Sequence, residues 1–213
     1  MMISQGLFIT FEGGEGSGKS TQVQKLANTL REQGRDVMLT REPGGTEEAE
    51  RIRALLVQSD GGQWSPLEEV LLLFAARAHH VRTLIKPAVE SGSIVICDRF
   101  TDSTRAYQGY GLGLDLKIIE SIKRNVLGDF EPDITFLLDI PASDGLKRST
   151  RRLKDEGSNE DKYENLDIEF HEKLRAGFLE LAEQNQNRFC IVDALQEIDT
   201  ISAQILQKVK GYL

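Results

Sequence analysis

Between the apolar run LFITF (7–11) and a helical repeat of Val23, Leu26, Ala27 and Leu30 lies FEGGEGSGKST (11–21), four glycines around one lysine. Its pattern, Gly13-x-x-x-x-Gly18-Lys19-Ser20, constrains the chain more than any other feature, because it works in one setting only: a strand entering and a helix leaving. Glycine admits backbone angles that a Cβ forbids, so successive N–H groups can turn inward around an anion. The helix N-terminus adds partial positive charge. A phosphate chain is the matching ligand. In that arrangement Lys19 reaches the β and γ phosphates of a nucleoside triphosphate, and the Ser20 hydroxyl holds Mg²⁺. The candidate ATP-binding stretch is thus Gly13, Gly14, Glu15, Gly16, Ser17, Gly18, Lys19, Ser20 and Thr21. A dinucleotide-type G-x-G-x-x-G reading fails, since counting from Gly14 the third glycine falls on Lys19.

The rest of the chain repeats the strand–helix alternation. DVMLT (36–40), SIVICD (93–98), ITFLLDI (134–140) and RFCIVD (188–193) are short apolar runs of the kind buried on both faces of a parallel sheet. Helical patterns fill the intervals: about 46–58, then 66–89 opening on Ser65-Pro66 with Glu68 and Glu69, and a last one carrying Leu195, Ile198, Ile201, Ile205 and Val209. This predicts an α/β fold, a parallel sheet of about five strands with helices on both faces. No repeat or linker divides the 213 residues, so a single domain over 1–213 is expected. A net charge of −8 disfavours a nucleic-acid partner, which calls for a basic surface. The longest apolar run, VLLLFAA, is too short to span a bilayer. Cys97 and Cys190 form no spacing motif, and with no signal-peptide pattern the expected setting is cytoplasmic.

Two predicted strands end in aspartate, Asp98 and Asp139, and either suits a metal ion. Only Asp98 is followed at once by an arginine, Arg99, which suits a site holding Mg²⁺ and a phosphate acceptor together. No Asn-Lys-x-Asp segment follows a strand, so guanine readout of the GTPase kind is absent. His79 and His80 diverge on a helix and His171 stands alone, which points to structural roles for all three.

DRFTDSTRAYQGYG (98–111), TREPGGT (40–46) and LLFAARAHH (72–80) behind this phosphate loop resemble the bacterial thymidylate kinases, and the similarity runs along essentially the whole chain. The resemblance implies transfer of the ATP γ-phosphoryl group to dTMP, with Mg²⁺, in a homodimer. It implies that Arg77 donates to the thymine carbonyl, that Gln108 and Thr104 meet the base edge, and that Arg53 and Arg99 hold the acceptor phosphate. Glu15 lies near the sugar and the transferring group, Tyr107 excludes a ribose 2′-hydroxyl, and Glu42-Pro43 forms a strained or cis peptide beside the acceptor. Phe74 stacks on thymine. Members often place that phenylalanine four residues before the arginine; here Leu73 has the place and Phe74 stands three before.

Some members also carry a catalytic arginine just after the loop glutamate, where this chain has Gly16. The cation is then expected from KRSTRRLK (147–154), the start of a lid over about 148–165, with Arg148, Arg151, Arg152 and Lys162 as candidates and Arg151 or Arg152 preferred. Two other readings stand beside this one: a kinase for dUMP or dCMP, and a nucleotide sensor that binds MgATP without turnover. A panel of monophosphates separates the first, and dTMP-independent ATP consumption would favour the second.

Overall fold

A computed structural model describes residues 6–57, 62–156, 162–163 and 165–213, the side chains of 152–156 excepted. Among these residues five strands form one sheet: β1 (Leu7–Glu12), β2 (Val37–Arg41), β3 (Ile94–Asp98), β4 (Ile134–Asp139) and β5 (Phe189–Asp193). Their order is β2-β3-β1-β4-β5, and each neighbouring pair is parallel. All five predicted strands are present, each within a residue or so of its expected bounds. β1 is central and buried from end to end, which is why its sequence shows no polar alternation.

The two faces of β1 feed two cores. Leu7, Ile9 and Phe11 pack with Val23, Leu26, Ala27 and Leu30 of α1 (Lys19–Glu32), and with Ile201, Ile205 and Val209 of the last helix (Ile198–Lys210). Phe8 points the other way, to Val81, Ile85, Ala88, Val95 and Phe100. Between α1 and that last helix come α2 (Glu47–Val57), α3 (Pro66–His80), α4 (Lys86–Glu90), α5 (Thr101–Thr104), α6 (Leu116–Leu127), α7 (Ala142–Glu156) and α8 (Ile168–Gln184). The sequence reading did not delimit α6 or α8; Asp115 and Asp167 cap their first turns through Lys117 N–H and Phe170 N–H.

The expected helix 66–89 is broken in its geometry. It starts as predicted, with Ser65 and Glu68 in a reciprocal capping box and Pro66 in the first turn. After His80 it widens into a π-helical turn, Val81–Ile85, closed by the Lys86 N–H on the Val81 carbonyl, before α4 resumes. Pro87 has no N–H and its ring clashes with the carbonyl four residues back, so a regular α-turn cannot pass through it. A second π-helical stretch, Arg105–Gly111, follows α5 directly.

The C-terminal ends of β1 and β3 lie side by side, Phe11 opposite Asp98. The glycine loop and the Arg99–Phe100 corner therefore emerge together, where ligands bind in open parallel sheets. The expected lid falls partly within α7; residues 157–161 and 164 lie outside the described residues.

Candidate active site

The glycine loop joins β1 to α1 with Gly18 in the left-handed region at the helix start. Lys19 folds its ammonium back into the loop, donating to the Gly13 and Gly14 carbonyls at 3.0 Å each and to Ser17 Oγ at 3.3 Å. Burial, then the Arg99 cation, pull its pKa down to about 8. Gly16 has φ +65°, and a Cβ there would lie 2.0 Å from the Gly145 carbonyl oxygen of α7. No side chain fits that position while α7 stays where it is.

Ser20 Oγ donates to Asp98 Oδ2 at 3.2 Å, and Asp98 Oδ1 is buried with no partner among the described residues. A hydroxyl and a carboxylate with an orphaned oxygen are hard donors that fit a Mg²⁺ completed by water and phosphate. Asp139, the other strand-end aspartate, is gripped by both nitrogens of an Arg175 fork at 2.7 and 2.8 Å. That ion pair leaves Asp98 as the metal candidate.

Beside the loop opens a cavity of about 810 Å³, part of it open to solvent. Glu15, Glu42, Pro43, Arg53, Arg77, Arg99, Thr104, Tyr107 and Gln108, all named from sequence, line it together. Arg77 is buried at one end. Its Nε donates to Glu42 Oε2 at 2.5 Å, and Nη2 to the Phe100 carbonyl at 3.2 Å and Thr104 Oγ1 at 3.1 Å. Nη1 is buried with no partner among the described residues. His80, read as structural, meets the other Glu42 oxygen at 3.0 Å, and Glu42-Pro43 is cis. Arg53 donates to the Pro43 carbonyl at 2.8 Å.

Arg99 stands at the loop end, with φ +70°. It donates through Nη1 to the Gly13 carbonyl at 3.0 Å and Ser103 Oγ at 3.2 Å, and through Nη2 to Glu15 Oε1 at 3.0 Å. Tyr107 donates its hydroxyl to the same Glu15 oxygen and lies under the Arg99 guanidinium, 5.0 Å from it. Burial pushes the Tyr107 hydroxyl well above its ordinary pKa. Burial opposes the Arg99 charge, but the Glu15 and Asp98 carboxylates more than offset it and keep the guanidinium protonated.

One expectation is corrected. Phe74 does not line the cavity: its ring is buried against Val70 and Ile119, with the Arg77 guanidinium 4.7 Å over it. Leu73 is on the wall instead. Successive helical residues point about 100° apart, so α3 can turn only one of the two to the cavity. Phe74 packs beneath Arg77, where the resemblance has it stack on thymine.

A sequence profile described as Thymidylate kinase matches residues 11–205. The chain belongs to the thymidylate kinase family. A thymidylate kinase of Caulobacter vibrioides is 46% identical over 203 residues, covering 95% of each chain. One from Desulfovibrio desulfuricans is 44% identical over 209 residues, covering 97% of this chain and 96% of the relative. Among solved structures, a crystal structure of thymidylate kinase from Ehrlichia chaffeensis superposes with a TM-score of 0.77 at 36% identity, over 96% of this chain and 98% of that one.

Within this thymidylate kinase fold the lid cations occupy different settings. Arg148 donates to the Ala194 carbonyl at 3.0 Å, and Arg151 is exposed on α7. The Arg152 side chain lies outside the described residues. Lys162 lines the cavity beside the loop, 2.6 Å from Glu69 Oε1. Three residues that matter here were given no site role by the sequence reading: Tyr163 on the cavity wall, Glu69 behind it, and Glu12. Glu12 ends the buried β1 and accepts from Phe100 N–H at 2.8 Å and Ser103 Oγ at 2.5 Å, so it shapes the Arg99 corner. Burial raises its pKa to about 7. An acidic residue closing an otherwise apolar strand was the signal available for it.

Proposed function

We propose that this chain transfers the γ-phosphoryl group of ATP to dTMP, giving dTDP and ADP. The observation that carries the reading is the placement of Arg99. It touches the phosphate loop at Gly13 and Glu15 while lining a cavity whose far end offers an unpartnered Arg77 N–H and the Gln108 amide. A donor triphosphate gripped at Lys19 and an acceptor phosphate at Arg99 and Arg53 would then meet across the loop, with the pyrimidine directed toward Arg77. Transfer needs little covalent help from the protein, only alignment and neutralisation of charge on the moving group. Loop N–H groups and Lys19 supply part of that charge, and Arg99 supplies more at the acceptor side.

Ser20 and Asp98 would hold Mg²⁺, which would supply charge neutralisation for the transfer. A cation on the remaining side comes from Arg148, Arg151 or Arg152, because Gly16 leaves no room for one in the loop. Tyr107, tied to Glu15, closes the space beside the sugar and supports a deoxyribose preference. We assign a homodimer on the exposed leucines of α3, Leu67 and Leu71, and on Ile118 and Val126 of α6. A cytoplasmic setting, with Cys97 and Cys190 as free thiols, belongs to the same proposal.

A coupled ADP-release assay with MgATP and a panel of nucleoside monophosphates tests the function. ADP release stimulated by dTMP above all others is expected. Release no faster with dTMP than without it would overturn the reading.

A further inference from the structure

Gln108 lines the acceptor cavity with its amide already committed. Its Nε2 lies 2.8 Å from Glu69 Oε2 and 3.1 Å from the Tyr163 hydroxyl. A side-chain amide has two N–H donors and one carbonyl acceptor. Both donors are used by these partners. The ring closes on itself, because the Tyr163 hydroxyl donates to Glu69 Oε2 at 2.9 Å. The other Glu69 oxygen takes the Lys162 ammonium at 2.6 Å. Glu69 is 2% exposed, so water does not substitute for any of these contacts.

A carboxylate accepts and never donates. Turning the Gln108 amide over would put its carbonyl oxygen against Glu69 Oε2, two acceptors face to face in a buried site, and leave its amine without partners. Only Gln108 Oε1 therefore remains for a ligand, as an acceptor. We infer that Glu69 is a specificity-determining positioning residue: by holding the Gln108 amide in one orientation, it makes the cavity admit a pyrimidine with a hydrogen on N3 and reject one with a lone pair there. Thymine and uracil carry that hydrogen; cytosine does not. The inference rests on the reading of the cavity as a dTMP site. It adds a residue that touches no substrate and lies one shell behind the base.

Arg77 also discriminates, through the group at C4, so the test must isolate N3. The 2-pyrimidinone deoxynucleotide has an N3 lone pair and nothing at C4, and serves beside dTMP as the probe. Steady-state kcat/KM is measured for both in the wild type and in Glu69→Gln, whose amide can face Gln108 with either end. The ratio of dTMP to 2-pyrimidinone nucleotide is expected to fall about tenfold, with the change in KM rather than kcat, since a base-edge contact is made equally in ground and transition states. A general packing defect would lower both substrates together and leave the ratio alone. An unchanged ratio in a folded Glu69→Gln protein overturns the inference.

A second readout needs no variant. In the wild-type protein without nucleotide, the Gln108 side-chain amide protons should exchange with solvent far more slowly than those of a free glutamine, followed by ¹⁵N-resolved NMR. Fast exchange would equally overturn it. A wild-type protein inert toward dTMP would refute the proposed function instead, and the amide-exchange result would stand apart from that failure.

Discussion

Arg77→Met is the perturbation that tests the most of this structure at once. Arg77 Nε and Glu42 Oε2 are 2.5 Å apart, and their side chains are only 2% and 3% exposed. A pair this dry lies in the regime where removing one member leaves an uncompensated charge, costing about 3–5 kcal/mol. Methionine matches the aliphatic stem of arginine, so cavity formation adds little. His80 remains at the second Glu42 oxygen and softens the loss without replacing the guanidinium. The bonds to the Phe100 carbonyl and Thr104 Oγ1 vanish too, which loosens the corner next to Arg99. For a chain of this size the melting temperature should drop on the order of 10 °C. Urea unfolding and calorimetry read the stability term. A double-mutant cycle with Glu42→Gln should return a coupling energy of about 1–3 kcal/mol, because Glu42→Gln removes the charge that Arg77→Met strands. If Arg77→Met melts within about 3 °C of the wild type, the buried pair is not holding this end of the cavity, and the argument from burial fails.

The lid proposal predicts that one of Arg148→Ala, Arg151→Ala or Arg152→Ala lowers kcat on the order of 10³-fold with little change in dTMP binding; near-normal turnover in all three would refute it. Lys19 binds phosphate as the ammonium, and its pKa in the nucleotide-free protein is lowered to about 8. ATP affinity should therefore be full below that pH and fall by up to about tenfold per unit above it; calorimetric titrations that stay flat well above pH 8 would contradict this. Asp98→Asn should raise the Mg²⁺ concentration for half-maximal turnover about 10–100-fold, and an unshifted Mg²⁺ dependence would move the metal elsewhere. Gly16→Ala forces a Cβ into the Gly145 carbonyl at positive φ, so α7 must shift; ATP KM should rise while urea stability falls by about 1–3 kcal/mol, and a variant unchanged in both would dispute that packing.

Much of the site was legible because its residues sit in short local patterns. The loop glycines, Asp98-Arg99, and the helix spacing around Arg77 are properties of consecutive residues, and the structure brings Glu15 of the loop, Arg99 and Arg77 to one cavity. Two of the places where reading from sequence stopped are long-range. Phe74 and Leu73 are adjacent, and which of them faces the cavity depends on how α3 rotates against α6, through contacts such as Phe74 with Ile119. Asp98 and Asp139 both close apolar strands; Arg175, thirty-six residues beyond Asp139 on α8, occupies one of them and not the other. Helix 66–89 was continuous by periodicity, and Pro87 marked its end without indicating that the preceding turn would widen.

By itself, the order of residues determined the alternating parallel architecture and the phosphate-gripping loop. Both follow from steric limits and apolar periodicity that act within about ten residues of chain. Tertiary structure alone decided which strand-end carboxylate keeps an unpaired oxygen, which side chain lines the pocket, and which way the Gln108 amide faces. Those outcomes are set by partners that arrive from distant helices, and a buried polar group takes the orientation those partners satisfy.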